Sequence, residues 1–506
     1  TGSADGAGTV GFNISGANTQ TFDGMEVFKG TTGADTIDLS AWTSAGATIL
    51  GTIGNDVITG GVGTDILDYS AFSANLTIAG TTDHAGTAVF TGGSQTFTSF
   101  EVIKGGAGND EIDLHTWTSD ATIHSGAGND NILGGSGNDH VYMGSDLNVT
   151  DSIDGGDGMN TLHFTPDSAN ASALANVSNF STIIFGDPTG DVTLNALTTG
   201  LIGTGDTLYL DTQAVTAGHS LTIDASSVTA HNIDYTAGDG LDHITGTSLD
   251  DNFHFGTHLS NADSVDGKAG DDTLYFTQNQ GGDHTDDLSG VSGVEHIILG
   301  DAVTELSLDT DTVGDLLAHL DSPYLDIDGS GLTTAGNTLT FTTGDLNDNA
   351  PSFLFNVTGG SNNDMIFGGG GADTLSGGGG NDMLFGQDGM DILTGGSGAD
   401  TFMYDQTTEG GATEEITDFC HADGDKLSFS NTVFSTTAAD LTHFISTASY
   451  SDTLGVAGQA SFIYDTSTNI LHYDSNGATA GGDVAIAHIT GDAVVNTDIT
   501  FHAPAP

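Results

Sequence analysis

Between positions 359 and 403 every ninth residue is an aspartate: Asp364, Asp373, Asp382, Asp391 and Asp400. Each stands sixth in a nonad that opens on glycine. Two places later comes a large apolar side chain: Ile366, Leu375, Leu384, Leu393 or Phe402. A carboxylate is a hard oxygen donor of the kind Ca²⁺ prefers, and the glycines give the positive φ angles that a tight turn requires. Five such turns in succession make these aspartates candidate calcium ligands. A flexible Gly/Asp-rich linker has a similar composition, but it has no reason to carry an apolar residue at every eighth place.

The same turn recurs upstream. Candidate ligands there are Asp35, Asp56, Asp65, Asp110, Asp130, Asp139, Asp251 and Asp272, with apolar partners Ile37, Ile58, Leu67, Ile112, Ile132, Val141, Phe253 and Leu274. The chain is internally duplicated. Residues 21–30 match 96–105, and 51–68 match 125–142. A longer segment, 134–165, resembles 246–277, and 177–187 resembles 291–301. In the longer pair Asn160 occupies the place of Asp272, so a weaker or empty site is expected at Asn160.

These spacings imply their own scaffold. The last three residues of a nonad form a short strand with its apolar residue inward, and two nonads make one coil. Asp364, Asp382 and Asp400 then line one edge, and Asp373 and Asp391 the other. Toward the amino-terminal end the coil is longer, with Asp35 to Asp56 spanning 21 residues and Asp110 to Asp130 spanning 20. The added residues carry Trp42 and Trp117, which read as residues packing on the coil rather than a sugar or cofactor platform. The expected fold is all-β: a right-handed parallel β-roll or β-helix solenoid with calcium in the turns and a carboxy-terminal β cap. Its expected parts are duplicated units over 1–165, divergent units over 166–358, the five-nonad roll over 359–403, and the cap over 404–506. Segments 221–230 and 325–334 read as strands, 312–319 as a short helix, and Pro166, Pro188, Pro323 and Pro351 as loop markers.

Composition supports the metal. The 506 residues include 76 Gly, 69 Asp plus Glu and only 4 Lys plus Arg, for a net charge of −65. Halophilic adaptation would account for acidity, but not for aspartates at fixed places in glycine-rich turns. Such charge opposes compaction, so binding of divalent ions and folding should be coupled. The four cations, Lys29, Lys104, Lys268 and Lys426, give no basic patch for nucleic acid. Cys420 is the single cysteine, so no intrachain disulfide forms. No run has the apolar length of a membrane span. The sequence begins at Thr1 with no recognisable secretory signal, which suggests a processed or truncated amino terminus.

The nonads, followed by ADTFMYD (399–405) and ITDFCHADGDKLSFS (416–430), resemble the carboxy-terminal RTX region of proteins exported by type I secretion, including serralysin-type proteases. The upstream units are similar to the repeat bodies of RTX surface-layer proteins and large RTX adhesins. The resemblance implies multiple Ca²⁺ ions, passage unfolded through a type I exporter, and folding outside the cell. It also implies a secretion signal within 492–506 and self-association into a lattice or filament, with cell-surface polysaccharide as a further partner. There is no HExxH and no GxSxG. The histidines, among them His115, His124, His140, His163, His243 and His254, show no metal-ligand spacing and read as polar wall residues. No stretch of catalytic-domain length is free of repeats. The sequence therefore points to a non-enzymatic extracellular structural protein. The alternatives are an RTX adhesin or carbohydrate-binding module, or the carboxy-terminal part of an RTX hydrolase.

Overall fold

The computed structural model describes residues 7–12, 18–23, 27–40, 42, 46–169, 171–194, 197–198, 200–202, 207–277, 288–301, 306–307, 324–342, 353–405, 414–434, 444–451, 453–455, 459–476 and 482–503. The expected helix at 312–319, Pro323 and Pro351 lie outside these residues. Two compact units emerge, Thr1–Leu249 and Asp250–Pro506. The described structure is β throughout, apart from the 3-10 turns Ala173–Asn176 and Asn496–Asp498.

Each unit is a parallel β-solenoid whose coils stack in register on one apolar residue per coil. In the first unit the spine of one wall runs Phe28, Ile49, Leu67, Ile103, Ile123, Val141, Leu162, Ile183, Leu210 and Tyr235, each paired with the next. In the second unit it runs Phe253, Leu274, Ile297, Ile327, Val357, Leu375, Leu393, Ile416 and Ile489. The facing wall there stacks Phe341, Ile366, Leu384, Phe402, Leu427 and Ile499. All these spine residues are buried, and burial of each such side chain stabilises by about 1.5–3 kcal/mol. A one-residue slip would turn a whole rung outward, so the spine sets the register that positions the turns.

In the nonads the strands are longer than three residues. Met365–Gly370, Thr374–Gly379, Met383–Asp388 and Ile392–Ser397 each continue into the opening of the next nonad. There the backbone pairs with the coil above, as in Gly378 with Gly396. Gly378 and Gly380 adopt φ of 94° and 120°, the left-handed turn anticipated from their type.

Two features depart from simple winding. In the first unit Leu76–Thr82, Ala85–Phe90 and Gly93–Thr98 form an antiparallel insertion, entered and left through parallel pairing with Asn55–Thr59 and Glu111–Asp113. Its turns fall at Asp83-His84, where His84 has φ 52°, and at Thr91-Gly92, where Gly92 has φ 108°. Past residue 403 the winding does not stop. Glu414–Phe419 and Lys426–Ser430 make one further coil, and Asp483–Gly491 and Ile499–His502 another. From the coil strand Asp483–Gly491 the sheet is continued by the antiparallel strands Ile470–Asp474 and Ser461–Asp465, which form the cap proper.

Trp42 and Trp117 are buried core residues. Trp42 meets Phe28 edge-on at 5.6 Å, and Trp117 Nε1 donates to Ala85 O at 3.0 Å. His124, His140, His163, His243 and His254 stand on wall strands and His115 in a turn; His124, Tyr142 and His163 stack on successive coils with ring centroids 4.6 and 4.0 Å apart. The second unit repeats the pair in exchanged order, His254 on Tyr275 at 4.3 Å.

Candidate metal centre

The turn aspartates enter their strands at the coil edge, and all thirteen are at most 3% exposed. In eleven of them one oxygen is used in the same way. Oδ1 accepts the backbone N–H of a residue one coil earlier, in six cases that of the preceding aspartate. Asp364 N donates to Asp382 Oδ1 at 2.8 Å and Asp382 N to Asp400 Oδ1 at 2.9 Å. On the opposite edge Asp373 N donates to Asp391 Oδ1 at 2.8 Å. In the first unit the rungs join Asp35 to Asp56 and Asp110 to Asp130, both at 2.9 Å. In the second, Asp251 joins Asp272 at 2.7 Å. Asp65 and Asp139 take the amides of Ala47 and Ala121. The result is a ladder that staples each coil to the next.

Four acids that the nonapeptide pattern does not mark occupy rungs as well. Glu101 Oε2 accepts from Asp65 N at 2.7 Å and Asp151 Oδ1 from Asp130 N at 2.7 Å. Glu295 Oε2 accepts from Asp272 N at 2.9 Å and Asp425 Oδ1 from Asp400 N at 3.0 Å. Their signal in the sequence is an acid directly before, or one residue before, an alternating strand, about one coil after the last recognised aspartate.

The second oxygen separates twelve of the thirteen aspartates chemically. Oδ2 of Asp65, Asp110, Asp139 and Asp364 accepts the amide four residues earlier, each at 2.7 Å. Asp35 is held by Thr31, and Asp56 by Gln95 Nε2 at 2.6 Å and Thr52 Oγ1 at 3.2 Å. By contrast, Oδ2 of Asp130, Asp272, Asp373, Asp382, Asp391 and Asp400 is buried with no hydrogen-bond partner. A buried, unpartnered charged oxygen is costly unless it is neutralised. Burial accordingly raises these carboxyls: Asp130 and Asp400 to about 6, Asp373 and Asp382 to about 7, and Asp272 and Asp391 to about 8. Negative neighbours add to the effect, Asp364 and Asp400 at Asp382 and Glu414 and Asp373 at Asp391.

Asn160 provides an internal comparison. Its Oδ1 accepts Asp139 N at 2.8 Å, as an aspartate would, but its Nδ2 donates to Asn179 O at 2.9 Å. A Cβ placed on Gly155 would collide with Asn179 O and Asn160 Nδ2. The equivalent atom on Gly134 would collide with Gly155 O and Asp139 Oδ2. Two acceptors thus converge at the aspartate turn, where the asparagine turn pairs a donor with an acceptor. The first arrangement draws its donor from Gly135 N and leaves room for a cation between the two oxygens, whereas the second supplies its own donor.

The donor set fits a hard divalent ion, being oxygen only and drawn from carboxylates and turn carbonyls. No group of three or more His, Cys, Asp or Glu side chains with metal-binding geometry occurs among the described residues. An edge ion would therefore complete its shell with backbone carbonyls. No helix among the described residues is long and apolar enough to cross a membrane.

No curated protein matches the chain. The family model of the RTX calcium-binding nonapeptide repeat (four copies) matches residues 42–73, 98–114, 119–149, 358–393 and 385–403. Asp56, Asp65, Asp110, Asp130, Asp139 and the five aspartates from Asp364 to Asp400 lie within these segments, whereas Asp35, Asp251 and Asp272 lie outside. In sequence and in the coils those segments build, the chain carries RTX calcium-binding nonapeptide repeats.

Proposed function

We propose that this protein is a non-enzymatic extracellular scaffold, exported unfolded and folded by calcium outside the cell, that self-assembles into a surface layer or filament. The observation that carries the calcium step is the set of six buried, unpartnered Oδ2 atoms on stacked turns. Asp364, Asp373, Asp382, Asp391 and Asp400 would hold the ions of the regular roll, with turn carbonyls completing the shell. Asp65, Asp110, Asp130, Asp139 and Asp272 would do so in the longer coils. Asp35 and Asp56, whose second oxygens are taken by side-chain donors as well, would contribute least. Repeats running through both units suit a building block, since stacked coils are stable only with their neighbours.

The test is a calcium titration of the chelator-stripped protein, followed by circular dichroism and light scattering with electron micrographs at the endpoint. A coil-to-β transition with ordered sheets or filaments is expected. The same transition with a lasting monomer would shift the reading to an adhesin module. No transition would refute it.

A further inference from the structure

We propose a divalent-cation site between Asp272 and Glu295, in a stretch outside the matched repeats, where a glutamate supplies the carboxylate that the nonapeptide pattern lacks. The proposal rests on the calcium reading above and adds a specific ligand to it. Asp272 is fully buried and its Oδ2 has no partner. Its Oδ1 is taken by Asp251 N, so the free oxygen is the one that faces the turn. A Cβ on Gly267 would collide with both Asp272 Oδ2 and Gly293 O, so a carboxylate and a carbonyl converge on one cradle.

Glu295 lies two residues beyond Gly293 and is 2% exposed. Its Oε2 receives Asp272 N at 2.9 Å, which leaves Oε1 of the same carboxylate as a further donor atom. Gly293 turns with φ 60°, the left-handed conformation that brings its carbonyl and Glu295 to the same edge. The flanking cationic side chains hold other acids. Lys268 Nζ binds Asp266 at 2.5 Å, and His296 bridges Asp271 at 2.8 Å and Asp326 at 3.1 Å. Two carboxylates and a carbonyl, all oxygen, select a hard ion of the calcium class over zinc or copper.

The experiment is equilibrium dialysis of the full chain against Ca²⁺, comparing wild type, Glu295→Gln and Asp272→Asn. Each variant should bind one ion fewer than wild type, and the double variant also only one fewer than wild type, because both remove the same site. Anomalous scattering from terbium-soaked wild-type crystals, with a peak between Asp272 Oδ2 and Glu295, provides a readout independent of variant folding. An unchanged ion count and affinity in Glu295→Gln, or no peak there while the nonads are occupied, overturns this site and leaves the repeat reading intact. No calcium bound anywhere overturns both.

Discussion

Acid should substitute for calcium. In the metal-free fold Asp373 and Asp382 are pushed up to about 7 and Asp391 to about 8, from ordinary carboxylate values near 4. A carboxyl raised in the folded state binds its proton more tightly than in the unfolded chain. Its stabilisation is therefore complete below about pH 4 and is lost as pH rises through its folded value. With about 1.36 kcal/mol per unit, each of the three withdraws about 4 kcal/mol from the metal-free fold at pH 7.5. Moving to pH 5 returns about 3 kcal/mol apiece, or on the order of 10 kcal/mol in all, comparable with the whole stability of a domain. The expected result in chelator is coil at pH 7.5 and β-structure at pH 5, by circular dichroism at low concentration. Calcium at pH 7.5 should restore the β signal, and its apparent affinity should fall as pH drops below about 7.

General charge repulsion also weakens in acid, so 1 M salt at pH 7.5 is the control. Salt at that strength screens exposed charges beyond about 3 Å but leaves a buried carboxylate unneutralised. Equal recovery with salt alone, or an apo fold as stable at pH 7.5 as at pH 5, would refute the buried-carboxylate argument.

Asp382→Ala should weaken calcium binding at two neighbouring coils and cost about 1–3 kcal/mol through the orphaned Asp364 amide; unchanged stoichiometry and affinity by dialysis would count against the stacked edge. Asn160→Asp should add one bound ion in calcium and lower the melting temperature in chelator, because it replaces the donor to Asn179 O with an acceptor. Trp117→Ala should destabilise the first unit by about 3–5 kcal/mol in calcium and in acid alike, read by thermal unfolding. A loss seen only in calcium would contradict its placement in the core.

The nonads were legible because both of their signals are periodic. The apolar residue two places after each aspartate became the spine, and the 18-residue recurrence of carboxylates became the rungs. The longer coils were legible only through duplication, since coil length there varies. The rungs of Glu101, Asp151, Glu295 and Asp425 escaped because none is an aspartate standing sixth in a glycine-led nonad, and they follow their partners by 36, 21, 23 and 25 residues. The gap of 36 has a local cause, the antiparallel insertion at 76–98, whose turns at Asp83-His84 and Thr91-Gly92 are ordinary hairpin signals within the alternating run 76–98. The coils after residue 403 were hidden because their turns have lost the glycine repeat while the spine continues through Ile416 and Ile489.

Asn160 also bears on why these turns use aspartate at all. Register does not require a charge, since the asparagine makes the same Oδ1 rung to Asp139 N and closes its turn with an amide donor. A chain with asparagine at every such place would staple its coils without any ion. Aspartate adds an oxygen that, in six of the thirteen turns, has no hydrogen-bond partner, so on the proposed calcium reading the coil would close only when a proton or a cation arrives. The chain's −65 charge acts in the same direction, since it keeps the unbound chain expanded. On that reading the residue that serves as the fold's staple would also withhold the fold, the conditionality that the proposed export and calcium-driven folding would need.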